Sequence, residues 1–213
     1  MVVHCASNRA KAEETRKLIE ENDGKAAAVT GDLTDPCTAE RLAENGPLDA
    51  LVLDASMQIR RPWQKISLEE YQKQMTCNFY SSLRLIQLAV PHMKAQKWGR
   101  IVTIGSVQER KPHPDMLVYS ASKAAQTNMA QSLAQQLAAD GITVNNVAPG
   151  VIFTARNVEA LSDPTYAAEV TGSIPAGFYG EPRDCAGVVR LLLSDAARYI
   201  TGQSIYVDGG KSL

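Results

Sequence analysis

The sequence predicts an α/β fold, a single-domain doubly wound parallel sheet, and three observations carry that prediction. Short β-like apolar runs alternate with stretches of helical periodicity along the whole chain, as βαβ units require. The run Ile101-Val102-Thr103-Ile104 has no polar alternation, which is how a strand buried on both faces reads. The chain's 213 residues, 45% apolar, suffice for one domain with a real core and contain no repeat, low-complexity tract or linker.

The elements follow in order. Val2 to Cys5 reads as a short strand, followed by a charged helix from about Arg9 to Glu21 with Leu18 and Ile19 on its inner side. Lys25 to Val29 is the next strand, ending at Gly31-Asp32-Leu33, and a short helix near Thr38–Ala43 leads to the strand Ala50–Leu53. Ser67-Leu68-Glu69-Glu70 has the form of a capping box. A long helix runs from there toward Met93, with Pro91 as its expected terminator. The Ile101–Ile104 strand comes next, then a helix through Tyr119 to Ala139 and a strand over Ile142–Val147. From Pro149 to Gly180 the pattern is irregular apart from a helix over Pro164–Val170, and connections that long are commonly lids or binding segments. Pro182 opens a helix carrying Val188, Val189, Leu191, Leu192 and Leu193, and Ser204–Val207 forms the last strand.

Composition excludes several classes. A net charge of −1 offers no field for nucleic acid or an anionic membrane. The three histidines and four cysteines lack ligand spacing, so no metal site is expected. The scattered cysteines fit a reducing compartment. No apolar stretch approaches a membrane span and no secretory signal is recognisable, so the expected location is the cytoplasm.

Chemistry concentrates around Tyr119. Ser106 stands thirteen residues before it, at the carboxyl edge of a strand, and Lys123 follows it by four. Residues four apart share one helix face. An ammonium beside a phenol favours the phenolate, which suits the phenol to proton exchange with an alcohol or carbonyl oxygen. Taken singly, a tyrosine and lysine so spaced also fit a solvated face, and a serine after a strand fits a cap.

Three further pieces fall at matching positions: Asn78 in the long helix, Asn145-Asn146-Val147-Ala148-Pro149-Gly150 closing a strand, and Tyr206-Val207-Asp208-Gly209-Gly210 near the C-terminus. The set resembles the short-chain dehydrogenase/reductase family, from residue 2 to the end of the chain. Asn78, Ser106, Tyr119 and Lys123 match that family's catalytic tetrad in order and spacing. Ile174-Pro175-Ala176-Gly177-Phe178-Tyr179-Gly180-Glu181-Pro182-Arg183-Asp184 looks like 3-ketoacyl-carrier-protein reductases and gluconate-type sugar-acid dehydrogenases. The resemblance implies a Rossmann-like fold and a nicotinamide cofactor. It implies a hydride exchange with carbon while Tyr119 handles the proton, Ser106 holds the oxygen, Lys123 lowers the phenol pKa and binds ribose, and Asn78 holds a relay water. The apolar stripes Leu83, Ile86 and Val90, and Met129, Leu133 and Leu137, on the two long helices read first as sheet-facing core, and the resemblance also implies a homotetramer built on the same helices.

Two departures from that pattern stand out. The usual first strand, glycine-rich turn and helix are missing, so the domain over residues 1–213 reads as N-terminally incomplete, with two inner strand edges unpaired. Translation beginning upstream, a shortened chain, or a divergent member that repairs the gap by rearrangement or subunit exchange would each explain this. The ordinary pattern from residue 2 onward favours the first two. Second, Leu53-Asp54-Ala55-Ser56 stands where relatives have Asn-Asn-Ala-Gly.

At the end of the first strand Ser7, Asn8 and Arg9 supply donors and no acid, which favours NADP(H) over NAD(H), although Asn8 also fits a plain helix cap and Arg9 a solvated cation. By resemblance Asp32 and Leu33 border the adenine, Asp54, Ala55 and Ser56 pass the ribose, and Pro149, Gly150, Ile152 and Thr154 flank the nicotinamide. Substrate contacts are expected from Ser106, Gln108, Tyr119 and Arg156, with Gln58, Arg60, Trp63, Phe153 and Asn157 nearby, and each also fits a solvated surface. Such walls suit a sugar, polyol, hydroxy acid or 3-oxoacyl group. The competing reading is a non-catalytic or cofactor-free member acting as a binding or assembly subunit.

Overall fold

The protein is seen in a computed structural model that describes residues 1–155 and 157–213. Strand β1 (Val2–Cys5) pairs in parallel with β2 (Ala27–Thr30), with helix α1 (Arg9–Glu20) between them in sequence. A second sheet runs β3 (Ala50–Leu53), β4 (Gly99–Ile104), β5 (Ile142–Pro149), β6 (Ser204–Val207), also all parallel. Among the described residues β1 bonds only to β2, and β3 only to β4. Those two edges are the ones expected to lack a neighbour, and Val52 on β3 is 45% exposed there. The sections still share a core: Val2 and Val29 pack against the cluster holding Leu33, Leu51 and Leu53.

Helix α2 (Cys37–Ala43) follows β2 and packs on a long helical stretch that begins with α3 (Leu68–Met75). The capping box is present: Ser67 Oγ accepts from the Glu70 amide, and the Glu70 carboxylate accepts from the Ser67 amide. The stretch then widens into a π turn (Thr76–Tyr80) before continuing as α4 (Ser81–Gln96). Helix α5 (Leu117–Leu137) covers the same face, and Leu85, Ile86, Ala89, Met93, Met129, Ala130, Ala134 and Leu137 join Ile101, Ile142 and Val144 in one core. On the other face α8 (Pro182–Leu192) lays Leu192 against Val102 and Val147. The connection between β5 and α8 carries α6 (Val158–Leu161) and α7 (Pro164–Gly172), which contains the expected helix. Asp163 caps α7 and Pro164 occupies its first turn.

Three expectations need correction. Leu18 does not face inward: it is 61% exposed, and Ala12 is the buried residue of α1. Helix α1 packs on β1 and β2 alone among its larger contacts, too narrow a bed for a second apolar ridge. Pro91 does not end its helix, which continues to Gln96 and closes at Lys97 in the left-handed conformation. The bond that proline forfeits lies on an exposed face, while Ala89 and Met93 on either side are fully buried and hold the helix on course. The second strand is shifted to Ala27–Thr30, because Asp23 at positive φ and the bond from Gly24 N to the Ile19 carbonyl extend the turn after α1.

Candidate active site

Parallel pairing puts the carboxyl ends of β3, β4, β5 and β6 on one edge, and open α/β sheets bind ligands at such edges. Ser106 lies one residue beyond Gly105 at the end of β4, where its hydroxyl accepts from the Gln108 amide and caps a short 3-10 turn, Val107–Glu109. Gln108 ties this turn to the start of α5. Its Oε1 accepts from Ser120 Oγ at 2.9 Å, and its Nε2 reaches Met116 Sδ at 3.2 Å. The amide expected to meet substrate is therefore engaged at both ends, by Ser120 on α5 and by Met116 just before it.

Tyr119 and Lys123 share the inward face of α5 and are 6% and 1% exposed. A buried ammonium needs acceptors. Lys123 Nζ donates to the Ile104 carbonyl at 2.6 Å and to Gln126 Oε1 at 3.3 Å, and it stands 5.9 Å from the centre of the Tyr119 ring. The amine is thus fixed between the last residue of β4 and its own helix, beside the phenol.

Asn78 sits in the π turn, fully buried. Its Oδ1 accepts from the Met57 amide at 2.7 Å, and its Nδ2 donates to the Met57 carbonyl at 2.9 Å and to Ser122 Oγ at 2.9 Å. It thereby clamps the segment after β3 to the helix that carries Tyr119 and Lys123. π turns commonly mark functional places in helices, and apolar periodicity gives no warning of one.

A second polar cluster supports the Ser106 turn from behind. The Glu109 carboxylate accepts from Tyr206 OH (2.6 Å), Ser204 Oγ (2.9 Å), Thr127 Oγ1 and Asn146 Nδ2. Asn146 Oδ1 accepts from Thr103 Oγ1, and a Cβ at Gly105 would lie 2.7 Å from the Asn146 amide and 2.8 Å from Glu109. Only glycine lets the backbone pass there. Burial, reinforced by the bond to Glu109, pushes the Tyr206 phenol up to about 12.

The positions expected to flank a cofactor fall at strand ends. Gly150 N donates to the Val207 carbonyl, and a Cβ there would sit 2.7 Å from Asp208 Cα, so the turn leaving β5 needs glycine. Pro149 ends β5, Ile152 bridges to Gly180, and the Thr154 carbonyl accepts from Asn157 and Val158. Asp54, Ala55 and Ser56 follow β3, and Ala55 packs on the core. Asp32 Oδ1 accepts from the Thr34 amide, and Leu33 is buried. After β1, the Ser7 carbonyl accepts from Arg9 N, Asn8 caps α1, and Arg9 stands 3.6 Å from Glu13 with its side chain largely exposed. Arg156 lies outside the described residues. Among the described residues no group of three metal-ligating side chains gathers, and no helix is long and apolar enough to cross a membrane.

The profile of the family described as enoyl-(acyl carrier protein) reductase matches residues 1–212. The chain belongs to the short-chain dehydrogenase/reductase family. This short-chain dehydrogenase/reductase is 34% identical to 3β-hydroxysteroid dehydrogenase 1 of Eggerthella lenta, over 100% of its own length and 84% of that protein. The crystal structure of a 3-oxoacyl (acyl-carrier-protein) reductase from Agrobacterium tumefaciens C58, with NADP bound, superposes with a TM-score of 0.93 at 32% identity. That match covers 98% of this chain and 83% of the other. A gluconate 5-dehydrogenase from Burkholderia cenocepacia J2315, in complex with NADP and tartrate, gives a TM-score of 0.90 at 25% identity, covering 99% of this chain and 84% of that one. The expected resemblance and the doubly wound parallel fold both hold for this member of an oxidoreductase family.

The sequence did not assign three residues around the site the roles they hold, and Glu109, read there only as part of the loop bordering the substrate, is one of them. Gln126 and Ser122 are fully buried polar side chains bonded to Lys123 and Asn78. Glu109 gathers partners from α5, β5 and β6. A polar residue three positions after Lys123 on an inward-facing stripe was the one available signal, and it pointed to Gln126.

Proposed function

We propose that this chain is an NADP(H)-dependent oxidoreductase interconverting a secondary alcohol and a ketone on a small polar substrate. The observation that carries the reading is the Lys123 ammonium, buried and held 5.9 Å from the Tyr119 ring at the carboxyl edge of β4. A cation so placed stabilises the phenolate. Tyr119 then gives its proton to a carbonyl oxygen in reduction, or takes one from a hydroxyl in oxidation. Ser106, next to the phenol's helix, donates a hydrogen bond to that oxygen and orients it. Asn78 keeps the segment after β3 against α5, which preserves the geometry around Lys123. A bound nicotinamide supplies or accepts the hydride.

The donor set fits the nicotinamide-ribose end of such a cofactor: an amine, a phenol and the glycine turn at Gly150 converge on one sheet edge. At the adenosine end, Ser7, Asn8 and Arg9 offer donors without an acid, which favours a 2′-phosphate over a 2′-hydroxyl. Two structurally similar proteins carry NADP, and NAD(H) is the alternative. For the substrate, the likeness to a gluconate 5-dehydrogenase in complex with tartrate supports a hydroxy acid or sugar acid, while Gln108 and Glu109 of the Ser106 turn are engaged within the protein. Exposed Trp63, Leu68, Tyr71, Tyr80 and Leu117 support self-association, with a homotetramer as the expected form. Among the described residues no disulfide forms between the cysteines, in keeping with a cytoplasmic location.

Initial rates with gluconate and NADP, then NAD, test this. Measurable oxidation is expected, faster with NADP, and Tyr119→Phe should lower it by about 10²–10⁴-fold while leaving NADPH binding nearly intact. Unchanged turnover in Tyr119→Phe would overturn the assignment. The unjoined edges of β1 and β3 favour a second reading, a cofactor-free binding subunit. Calorimetric titration with NADPH decides between the two, because the second reading predicts no binding by a folded sample.

A further inference from the structure

Gln126 occupies a place where an apolar residue would satisfy packing. It lies on the inward face of α5, fully buried, three residues beyond Lys123. Both ends of its amide are used. Oε1 accepts from Lys123 Nζ at 3.3 Å, and Nε2 donates to Ser82 Oγ at 2.9 Å on α4. Ser82 Oγ in turn donates to the Asn78 carbonyl at 3.4 Å. An unbroken chain therefore runs from the π turn, through Ser82 and Gln126, to the amine beside Tyr119.

Physical chemistry narrows what can stand at residue 126. Leucine would fill the space but leave an ammonium N–H without its acceptor, which is costly in a buried site. Glutamate would accept the bond, but its charge would pair with the ammonium and cancel the field acting on the phenol. An amide carbonyl satisfies the N–H and leaves the net positive charge standing. We propose that Gln126 is a positioning residue, a neutral acceptor that fixes the Lys123 ammonium against Tyr119 and transmits the packing of α4 to it.

The proposal rests on the reading of Tyr119 as the proton-transfer group. Among the described residues, the charged and titratable groups on the elements packed about the amine include Tyr119 on the same helix, the buried Cys77 on the π turn, and Glu109, which reaches α5 one turn further on through Thr127. The π turn and α4 contribute the neutral Asn78 and Ser82.

The test compares Gln126→Glu, Gln126→Leu and Ser82→Ala with the wild type. Phenol ionisation is followed by ultraviolet absorbance without cofactor, and the Tyr119 signal is isolated by subtracting Tyr119→Phe in each background. Gln126→Glu should raise the Tyr119 midpoint by about one unit or more and move the pH of half-maximal gluconate oxidation with NADP by the same amount. Gln126→Leu should raise it less and reduce kcat roughly tenfold, the order of one lost hydrogen bond to a charge. Ser82→Ala should act in the same direction, and adding it to Gln126→Leu should change nothing further. A residue that merely fills the core predicts an unmoved midpoint in variants that melt at the wild-type temperature, and that result overturns the proposal. If the Gln126 variants do not fold, Ser82→Ala, which leaves Gln126 in place, decides by the same midpoint. A shifted midpoint in a chain that oxidises no gluconate would remove the proposed reaction and keep the positioning role. Oxidation with an unmoved midpoint would do the reverse.

Discussion

Strand β5 buries seven of its eight residues and β4 five of six, whereas β1 buries none fully and β2 leaves both of its end residues exposed. The helices repeat the contrast. Helix α5 has ten buried residues, Lys123 and Gln126 among them, and α1 has Ala12 alone. Proton transfer demands that donor and acceptor be held to a fraction of an ångström, and the groups assigned to it sit where packing is densest. Ser7, Asn8 and Arg9, which would meet the far end of a dinucleotide, stand on the thinner section, where exposed donors can adjust to a ligand. Regions of low local stability commonly serve binding in this way.

The contrast can be broken or sharpened by substitution, beginning with the largest effect. Lys123→Met removes the charge from the dense half, so kcat should fall by about 10²–10⁴-fold. Methionine fills the same space but leaves the Ile104 carbonyl and Gln126 Oε1 without their donor, so the comparison is made in samples shown to be folded. A loss below tenfold would separate the amine from the chemistry. Met93→Ala empties a fully buried position beneath β4 and should cost about 2–5 kcal/mol in denaturant titration. Leu18→Ala on α1 should stay within about 0.5 kcal/mol. Equal costs would mean that the two sections are packed alike.

Asn8→Ala removes the α1 cap and should cost about 1 kcal/mol. Any weakening of NADPH binding beyond that fraction would mark a direct contact with the cofactor. The smallest effect concerns alkaline stability. The Tyr206 phenol stands at about 12 against an ordinary 10.0, pushed up by burial and by Glu109. A raised folded value means that its stabilisation is complete below 10.0 and is lost as pH climbs toward 12. Wild type should therefore lose stability through that window more steeply than Tyr206→Phe, as read by denaturant midpoints at successive pH values.

The legible parts of the molecule were those written in local order. The strands Ala50–Leu53 and Ser204–Val207, the Ser67 capping box and the shared face of Tyr119 and Lys123 depend on residues close in sequence, and all are present. What escaped depends on distant partners. The fate of Pro91 was decided by burial of Ala89 and Met93 against the sheet, and the exposure of Leu18 by the narrowness of what α1 rests on. The Glu109 cluster joins residues up to 97 positions apart, beyond the reach of any periodicity. Gln126 lies between these cases, because its place on the stripe was readable and its bonds to Lys123 and Ser82 were not.

The account stands on the claim that the Lys123 ammonium governs the proton affinity of the Tyr119 phenol. The most direct measurement is the absorbance titration of Tyr119 in wild type against Lys123→Met. The account predicts a wild-type midpoint below that of the variant by about one unit or more. Coincident midpoints in two folded proteins would contradict it.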